Sequence, residues 1–324
     1  MPTTESGAAA RKVVTGLAVL GVIAAVGVAI YRGVGPLPDP EGCRVEVGEV
    51  SVDLSLEQAE NAALIAAVGV RRALPARAIS IALATAYQES DIKNLDHGDR
   101  DSLGLFQQRP SMGWGTVEQI RDPVYATKKF YDALVKIDGY ENMRITEAAQ
   151  AVQVSGFPEA YGDHEADGRA IASALAGYSP AAFTCIVNGD DVAAEQIDEN
   201  GLTPRANDVR RDLRDTFGSL ALGGFQPGGV STGHMEGSAH YEGRAIDIFV
   251  RPVNEANKRM GWVLAHYLLA SADRLDVDHV IFDDRIWTAG TRSEAGWRDF
   301  DPGSRSGDRT ILEHRDHVHV DVLE

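Results

Sequence analysis

The sequence predicts a multidomain protein in which an N-terminal transmembrane helix precedes a mainly α-helical domain and then an α+β domain. Three observations predict this fold class. Residues 13–31 form an apolar run without a charge, and the stretch from there to residue 185 shows helical periodicity without strand alternation. From residue 205 onward, short apolar strand patterns alternate with helical ones, which is typical of an α+β domain. The length of 324 residues suits two domains of about 150 residues each.

The composition excludes several classes of protein. Hydrophobic residues make up 44% of the chain and charged residues 24%, which is ordinary for a globular protein and excludes a disordered one. The net charge is −17, so we expect no nucleic-acid partner, because such a chain does little to neutralise phosphates. With 2 cysteines in the chain, a metal site has to be built from His, Asp and Glu.

The N-terminal apolar run predicts where the protein is located. Its 19 residues span about 28 Å as a helix, which is enough to cross a bilayer. Arg11 and Lys12 precede the run, which favours a cytoplasmic N-terminus and an external remainder. We therefore expect residues 1–36 to be the cytoplasmic tip and anchor of a single-pass cell-membrane protein. The alternative is a signal peptide, whose cleavage would release a secreted protein.

The rest of the chain divides at an acidic segment. Residues 187–204 are rich in acidic residues and contain Gly and Pro, which is typical of a linker. They separate a first domain at 37–186 from a second domain at 205–324. Cys43 and Cys185 flank the first domain, and outside the cytoplasm we expect them to form a disulfide. The alternative is a pair of buried thiols.

The individual elements follow from periodicity and capping signals. A helix is predicted over 55–74, where Ser55 and Gln58 fit a capping box. The other helices expected in the first domain cover 76–90, 122–136, 146–155 and 164–176. For the second domain we expect helices at 205–217 and 255–273, a glycine-rich loop at 223–237, and strands at 245–250, 280–282 and 317–322.

Glu89 is the candidate catalytic residue of the first domain. It stands near the end of the otherwise apolar helix predicted at 76–90. Apolar surroundings disfavour the charged form of a carboxylate, so such a group can keep its proton near neutral pH and act as a general acid. The alternative is an ordinary polar residue at a helix end.

Two motifs around Glu89 resemble those of the soluble lytic transglycosylase and goose-type lysozyme family. Tyr-Gln-Glu-Ser at 87–90 is followed by Ser-Leu-Gly-Leu-Phe-Gln at 102–107, with Phe106 where that family usually has Met. The resemblance covers residues 53–178 and implies a lysozyme-like domain that cuts the glycan strands of peptidoglycan, with Glu89 as the general acid. The substrate-binding residues that it implies are Ser90, Gln107 and Tyr161.

The reaction of the first domain stays open between hydrolysis and lytic transglycosylation. An inverting hydrolase needs a second carboxylate, about 6.5–9.5 Å from the acid, to hold a water molecule. The candidates for it are Asp96, Asp99 and Asp101 in the loop after Glu89. A lytic transglycosylase needs no such base, because the 6-hydroxyl group of the substrate attacks instead.

The second domain contains a histidine and aspartate pattern that fits a metal site. His317 and His319 alternate on a predicted strand, so their side chains point to the same face, about 7 Å apart. Asp247 lies within an apolar strand, and a buried carboxylate needs a partner. Imidazoles and a carboxylate on one face suit zinc, and three protein ligands would leave a fourth position for water.

This pattern resembles that of the lysostaphin-type and D-Ala-D-Ala metallopeptidase family, which shares the hedgehog fold. Ser-x-His-x-x-Gly-x-Ala-x-Asp at 238–247 is followed by His-x-His at 317–319, and the resemblance covers residues 205–324. It implies a zinc-peptidase-like domain with one Zn²⁺ ion. The metal ligands that it implies are His240, Asp247 and His319.

The same resemblance leaves the catalytic base of the second domain open. The carboxypeptidase branch usually has a Glu three residues before the last histidine ligand, and this chain has Asp316 there. Asp316 and His317 are therefore both candidates. His317 is favoured because Asp is shorter than Glu, and because strand alternation would point Asp316 away from His319 unless the strand begins after it. Arg244 is a candidate for binding a substrate carboxylate.

Together the two resemblances predict a bifunctional peptidoglycan hydrolase. The first domain would cut the glycan strand, and the second would cut a stem or cross-link peptide bond with zinc. Peptidoglycan is then the expected partner, and the N-terminal helix the contact with the membrane. One alternative is a catalytically inactive wall-binding or scaffold protein. Another is a component of an envelope transport machine that cuts glycan locally.

Overall fold

The computed structural model describes residues 40–189, 192–304 and 306–324. The segment Glu41–Glu324 forms one compact unit. The predicted transmembrane helix at 13–31 lies outside the described residues. Within the described ranges, no helix is both long enough and apolar enough to cross a membrane.

The first half of the compact unit is dominated by helices. They are α1 (Leu56–Arg71), α2 (Ala76–Ser90), α3 (Val117–Arg121), α4 (Pro123–Leu134), α5 (Ile145–Gln153) and α6 (Glu165–Leu175). The capping box predicted at Ser55 is confirmed, since its side chain accepts from the Gln58 amide. Helix α1 ends three residues before the predicted end, because Ala73 has a φ of 53° and Pro75 follows.

A small antiparallel sheet accompanies these helices. Its strands are β1 (Gly42–Val47), β2 (Val50–Leu54) and β3 (Phe183–Ile186), in the order β2-β1-β3. The expectation of no strand before residue 185 is therefore wrong. Strands β1 and β2 do alternate, with Val45, Val52 and Leu54 buried, and their 5 or 6 residues show the alternation that is typical of a short half-buried strand.

The predicted disulfide is present. Cys43 on β1 and Cys185 on β3 lie directly opposite each other, and their sulfur atoms are bonded. The bond spans 142 residues of sequence and so closes the helical half into a loop. A cross-link of that span restricts the unfolded chain strongly.

The second half is an antiparallel sheet covered by helices. Its helices are α7 (Pro204–Phe217), α8 (Glu255–Ala270) and α9 (Arg309–Leu312). Its strands are β4 (Leu222–Gly223), β5 (Ala245–Phe249), β6 (Val277–Phe282), β7 (Arg285–Thr288), β8 (Arg298–Asp299) and β9 (His317–Val322). Their order in the sheet is β4-β5-β9-β6-β7-β8. Sequence periodicity missed β4, β7 and β8, which have four residues or fewer.

The two faces of this sheet differ in chemistry. Val318 and Val320 of β9 and Ile246 of β5 are buried on the face that packs against α7 and α8. Because side chains alternate along a strand, the residues between them point to the opposite face. That face bears Asp247, His317, His319 and Asp321.

Helix α8 also packs against the helical half. It contacts α1, α6 and β3 as well as the large sheet. His266, on α8, is fully buried, and its Nδ1 donates to the carbonyl oxygen of Ala174 at 2.9 Å. The indole nitrogens of Trp287 and Trp297 donate to the carbonyl groups of Cys185 and Phe183, at 2.9 and 2.8 Å. The halves on either side of the predicted linker therefore share a core.

The burial of His266 predicts a loss of stability in acid. Burial lowers the pKa of His266 to about 4, against an ordinary value of 6.5, although the bond to Ala174 opposes the shift. Its neutral form therefore stabilises the fold above about pH 6.5, and this contribution is lost as the pH falls toward 4. We expect the free energy of unfolding to drop by about 2 to 3 kcal/mol from this group between about pH 7 and pH 4.5.

Urea unfolding at several pH values measures this effect. His266→Gln is the matched variant, because the amide can still donate to Ala174 but does not titrate. Its stability should depend less steeply on pH than that of the natural chain over the same interval. Equal slopes would show that His266 contributes nothing to the acid sensitivity.

Candidate metal centre and glutamate site

The polar face of the large sheet brings the predicted zinc ligands together. Asp247 of β5 and His319 of β9 are register partners, so their side chains lie side by side. His240 comes from a short turn of 3₁₀ helix, Ala239–Glu242, which leads into β5. All three side chains are buried, with 2 to 7% exposed.

The three ligand atoms converge on one point. Nε2 of His240 lies 3.1 Å from Nδ1 of His319. Oδ1 of Asp247 lies 3.2 Å from each of these nitrogens. Ligands held at about 2.0–2.2 Å in a tetrahedral zinc site lie about 3.3 Å from one another. Two imidazoles and one carboxylate at this spacing fit a zinc ion.

The outer nitrogens of both histidines have hydrogen-bond acceptors. Nδ1 of His240 lies 2.8 Å from the carbonyl oxygen of Gly224, and Nε2 of His319 lies 3.1 Å from Oδ2 of Asp321. With these outer N–H groups donating, the inner nitrogens offer lone pairs to a metal once their own protons are displaced. Gly224 has a φ of 79°, and a Cβ there would collide with the His240 ring, so the position requires glycine.

Mutual hydrogen bonds set the charges of the ligands. Burial alone would raise the pKa of Asp247, but bonds from His240 and His319 outweigh burial and hold it below its ordinary value. Burial would lower the pKa of His319, yet bonds to Asp247 and Asp321 raise it to about 9. Asp247 is therefore an anion, and a metal that binds here has to displace a proton from the cluster.

His317 faces this centre and Asp316 lies behind it. Nε2 of His317 is 3.8 Å from Oδ1 of Asp247, and its Nδ1 donates to Oδ1 of Asp316 at 2.7 Å. Oδ2 of Asp316 accepts from Nε of Arg251 at 2.6 Å. Strand β9 begins at His317, so strand alternation does not apply to Asp316. Of the two candidate bases, His317 presents a nitrogen to the centre.

Arg244 does not join this group. Its Nε donates to Oε2 of Glu242 at 2.8 Å, and its Nη1 donates to the carbonyl oxygen of Val322 at 2.6 Å. The guanidinium group thus joins the turn before β5 to the end of β9.

Sequence reasoning missed several residues around the centre. Asp321 continues the alternation of His317 and His319, and that spacing could have revealed it. The ring of His234 stacks on His240 with centroids 3.8 Å apart, but its loop gave no periodic signal. The ring of His314 lies 4.6 Å from that of His317, and burial with the nearby His317 lowers the pKa of His314 to about 2.

Glu89 forms a second site in the helical half. It is half-buried, next to the last residue of α2. The hydroxyl group of Tyr161 donates to Oε1 of Glu89 at 2.6 Å. Tyr161 is fully buried, and burial together with the bond to Glu89 raises the pKa of its hydroxyl group, which therefore stays a donor. The structure thus brings these two predicted residues together.

Ser90 and Gln107 both contact the loop from Leu103 to Gln108. This loop is closed by paired backbone bonds between Leu103 and Gln108. Ser90 donates to the carbonyl oxygen of Leu105 at 2.7 Å, which ties the loop to α2. The side-chain amide of Gln107 donates to the carbonyl oxygens of Gly104, within the loop itself, and of His97, both at 3.3 Å.

The three aspartates proposed as a second carboxylate differ in their surroundings. Asp101 accepts from the backbone amide of Ser111 at 2.9 Å and from Nε of Arg109 at 2.6 Å. These bonds hold the pKa of Asp101 well below its ordinary value and make it part of the loop structure. Asp96 and Asp99 have largely exposed side chains, at 68 and 93%.

Comparison with known proteins adds one similarity. Residues 198–310 match the family model described as VldE, C-terminal domain, which is about a third of the chain. The match includes His240 and Asp247 but ends before His317 and His319. No curated protein matches the chain.

The convergence of ligand atoms predicts stoichiometric zinc binding. We expect the protein to take up about one zinc ion per chain and to lose it on His240→Ala or Asp247→Ala, because each substitution removes one of the three proposed ligands. His97→Ala is the control, since the His97 side chain is 79% exposed. Elemental analysis after dialysis against zinc measures the content. Retention of zinc by the Asp247 variant would contradict this ligand set.

Proposed function

We propose that the protein is a bifunctional peptidoglycan hydrolase. The observation that carries the proposal is the convergence of His240, Asp247 and His319 on one point that Nε2 of His317 also faces. The resemblance of both motif sets to enzymes that act on the same polymer supports it. Neither activity alone accounts for a buried histidine cluster and a glutamate–tyrosine pair in one chain.

The histidine centre would cut a stem or cross-link peptide bond. A zinc ion held by the three ligands would supply Lewis-acid chemistry, that is, polarisation of a carbonyl group and easier ionisation of water. His317 would exchange a proton at Nε2 as general base and acid. Asp316 accepts the Nδ1 proton of His317 and fixes its tautomer, and Arg251 keeps the Asp316 carboxylate in place.

The glutamate site would cut the glycan strand. Glu89 would donate its proton to the glycosidic oxygen. Tyr161 binds Oε1 of Glu89, and the other carboxyl oxygen would donate the proton to substrate. The loop from Leu103 to Gln108, which Ser90 ties to α2, would form one wall of the cleft. Release of a reducing end or of a 1,6-anhydro end would distinguish hydrolysis from lytic transglycosylation.

An external location accords with both activities. Peptidoglycan lies outside the cell membrane, and the predicted anchor at 13–31, or its cleavage as a signal peptide, would deliver the rest of the chain there. The Cys43–Cys185 disulfide is of the kind that persists in oxidising compartments.

Digestion of purified peptidoglycan by the full chain tests the proposal. We expect two classes of product by mass spectrometry, cut glycan strands and shortened or uncrosslinked peptides. A chelator should abolish peptide cleavage, and added zinc should restore it, while glycan cleavage continues. Binding of peptidoglycan without any product from the folded protein would favour the scaffold alternative.

Single substitutions should separate the two activities. Glu89→Gln removes the donated proton and should lower glycan cleavage by about 10²–10⁴-fold while peptide cleavage continues. His317→Ala should lower peptide cleavage by a similar factor, with zinc still bound and glycan cleavage unchanged. Initial rates for each product class measure both effects. Loss of both activities in either folded variant would rule out two independent sites.

A further inference from the structure

A chain of hydrogen bonds extends from His319 away from the metal centre. Asp321, on the same strand, is buried with 7% exposed. Its Oδ2 lies 3.1 Å from Nε2 of His319, and its Oδ1 lies 2.9 Å from Nδ1 of His279. The carboxylate therefore bridges two imidazoles and uses both oxygens. A buried carboxylate with both oxygens engaged has little freedom to rotate.

The position of His279 depends on an irregularity in β6. His279 lies opposite Asp321 in the pairing of β6 with β9, and the register shifts between Val277 and His279. Adjacent residues of a regular strand point to opposite faces, but here Oδ2 of Asp278 lies 3.3 Å from Nδ1 of His279. Bulges re-aim side chains in this way. The bulge thus places Asp278 and His279 on the same side, against Asp321.

We propose that Asp321 and His279 are positioning residues for the zinc ligand His319. Asp321 accepts the Nε2 proton of His319, which fixes the ring so that Nδ1 points to Asp247. His279 holds the second oxygen of Asp321 and so prevents the carboxylate from turning away. This inference rests on the proposed function, because it assumes that the three ligands bind zinc.

A purely structural role explains these contacts less well. Packing alone does not require a carboxylate with two oxygens matched to two ring nitrogens. His279 is also partly open to solvent, with 30% of its side chain exposed. Its replacement by alanine therefore removes little packing. The alternative interpretation is that these residues bind a second metal ion, since Asp278, His279 and Asp321 have ligand atoms within 4.8 Å of one another. Both oxygens of Asp321 already have imidazole partners, so its contacts do not require a second ion.

The test measures zinc affinity by competition with a chromogenic chelator. We expect Asp321→Ala to weaken zinc binding by about 10–100-fold, which is typical when a partner behind a metal ligand is lost. His279→Ala should weaken it less, by about 3–10-fold, because Asp321 remains. His279→Gln should restore most of the affinity, since its amide can donate to Asp321. His97→Ala is the control for loss of a histidine elsewhere.

Two further measurements separate positioning from folding. The visible spectrum of the cobalt-substituted protein reports the ligand geometry, and it should change in Asp321→Ala and His279→Ala but not in His279→Gln. The melting temperature of the metal-free protein reports the fold. If Asp321→Ala fails to fold, the comparison of His279→Ala with His279→Gln carries the test.

The outcomes distinguish this inference from the proposed function. If the natural chain binds no zinc, the metallopeptidase proposal fails and the inference falls with it. If the natural chain binds zinc and both alanine variants keep its affinity and cobalt spectrum, the inference alone is overturned. Two zinc ions per natural chain, with one lost in His279→Ala, would also overturn it, because these residues would then be ligands.

Discussion

The pairing of β5 with β9 is the constraint on which the metal centre depends. It sets Asp247 opposite His319, and the same register carries His317 and Asp321 to one face of the sheet. A shift of β9 by one residue would turn His317, His319 and Asp321 toward the apolar core and away from Asp247. The valines and isoleucines that alternate with these polar residues along β5 and β9 therefore also determine how the two strands pair. Their burial beneath α7 and α8 selects the register, and the register assembles the centre.

Helix α8 extends this dependence to the other half of the molecule. One side of it packs under the sheet, and another side packs against α1, α6 and β3. His266 and the two tryptophan indoles satisfy backbone carbonyl groups of the helical half at this contact. Arg274, just beyond α8, adds ion pairs to Glu60 and Asp212. The glutamate site and the histidine centre therefore belong to one body.

The sequence predicted best the features that depend on local patterns. The capping box at Ser55, the bounds of β9 and the alternation of His317 with His319 follow from spacing alone, and the structure agrees. Features that depend on distant pairing could not be predicted. The bulge that aims His279 exists only because β6 pairs with β9. The burial of His266 likewise arises from a contact between halves.

The shared core limits how such a protein can be rearranged by recombination. A module that is exchanged between proteins usually carries its own core and ends in an exposed linker. Here the fragment before the linker would leave bare the surface that α8 covers, and the fragment after it would display His266 and its aromatic neighbours. Viable chimeras would have to inherit both halves together, or re-create the α8 contact in the new partner.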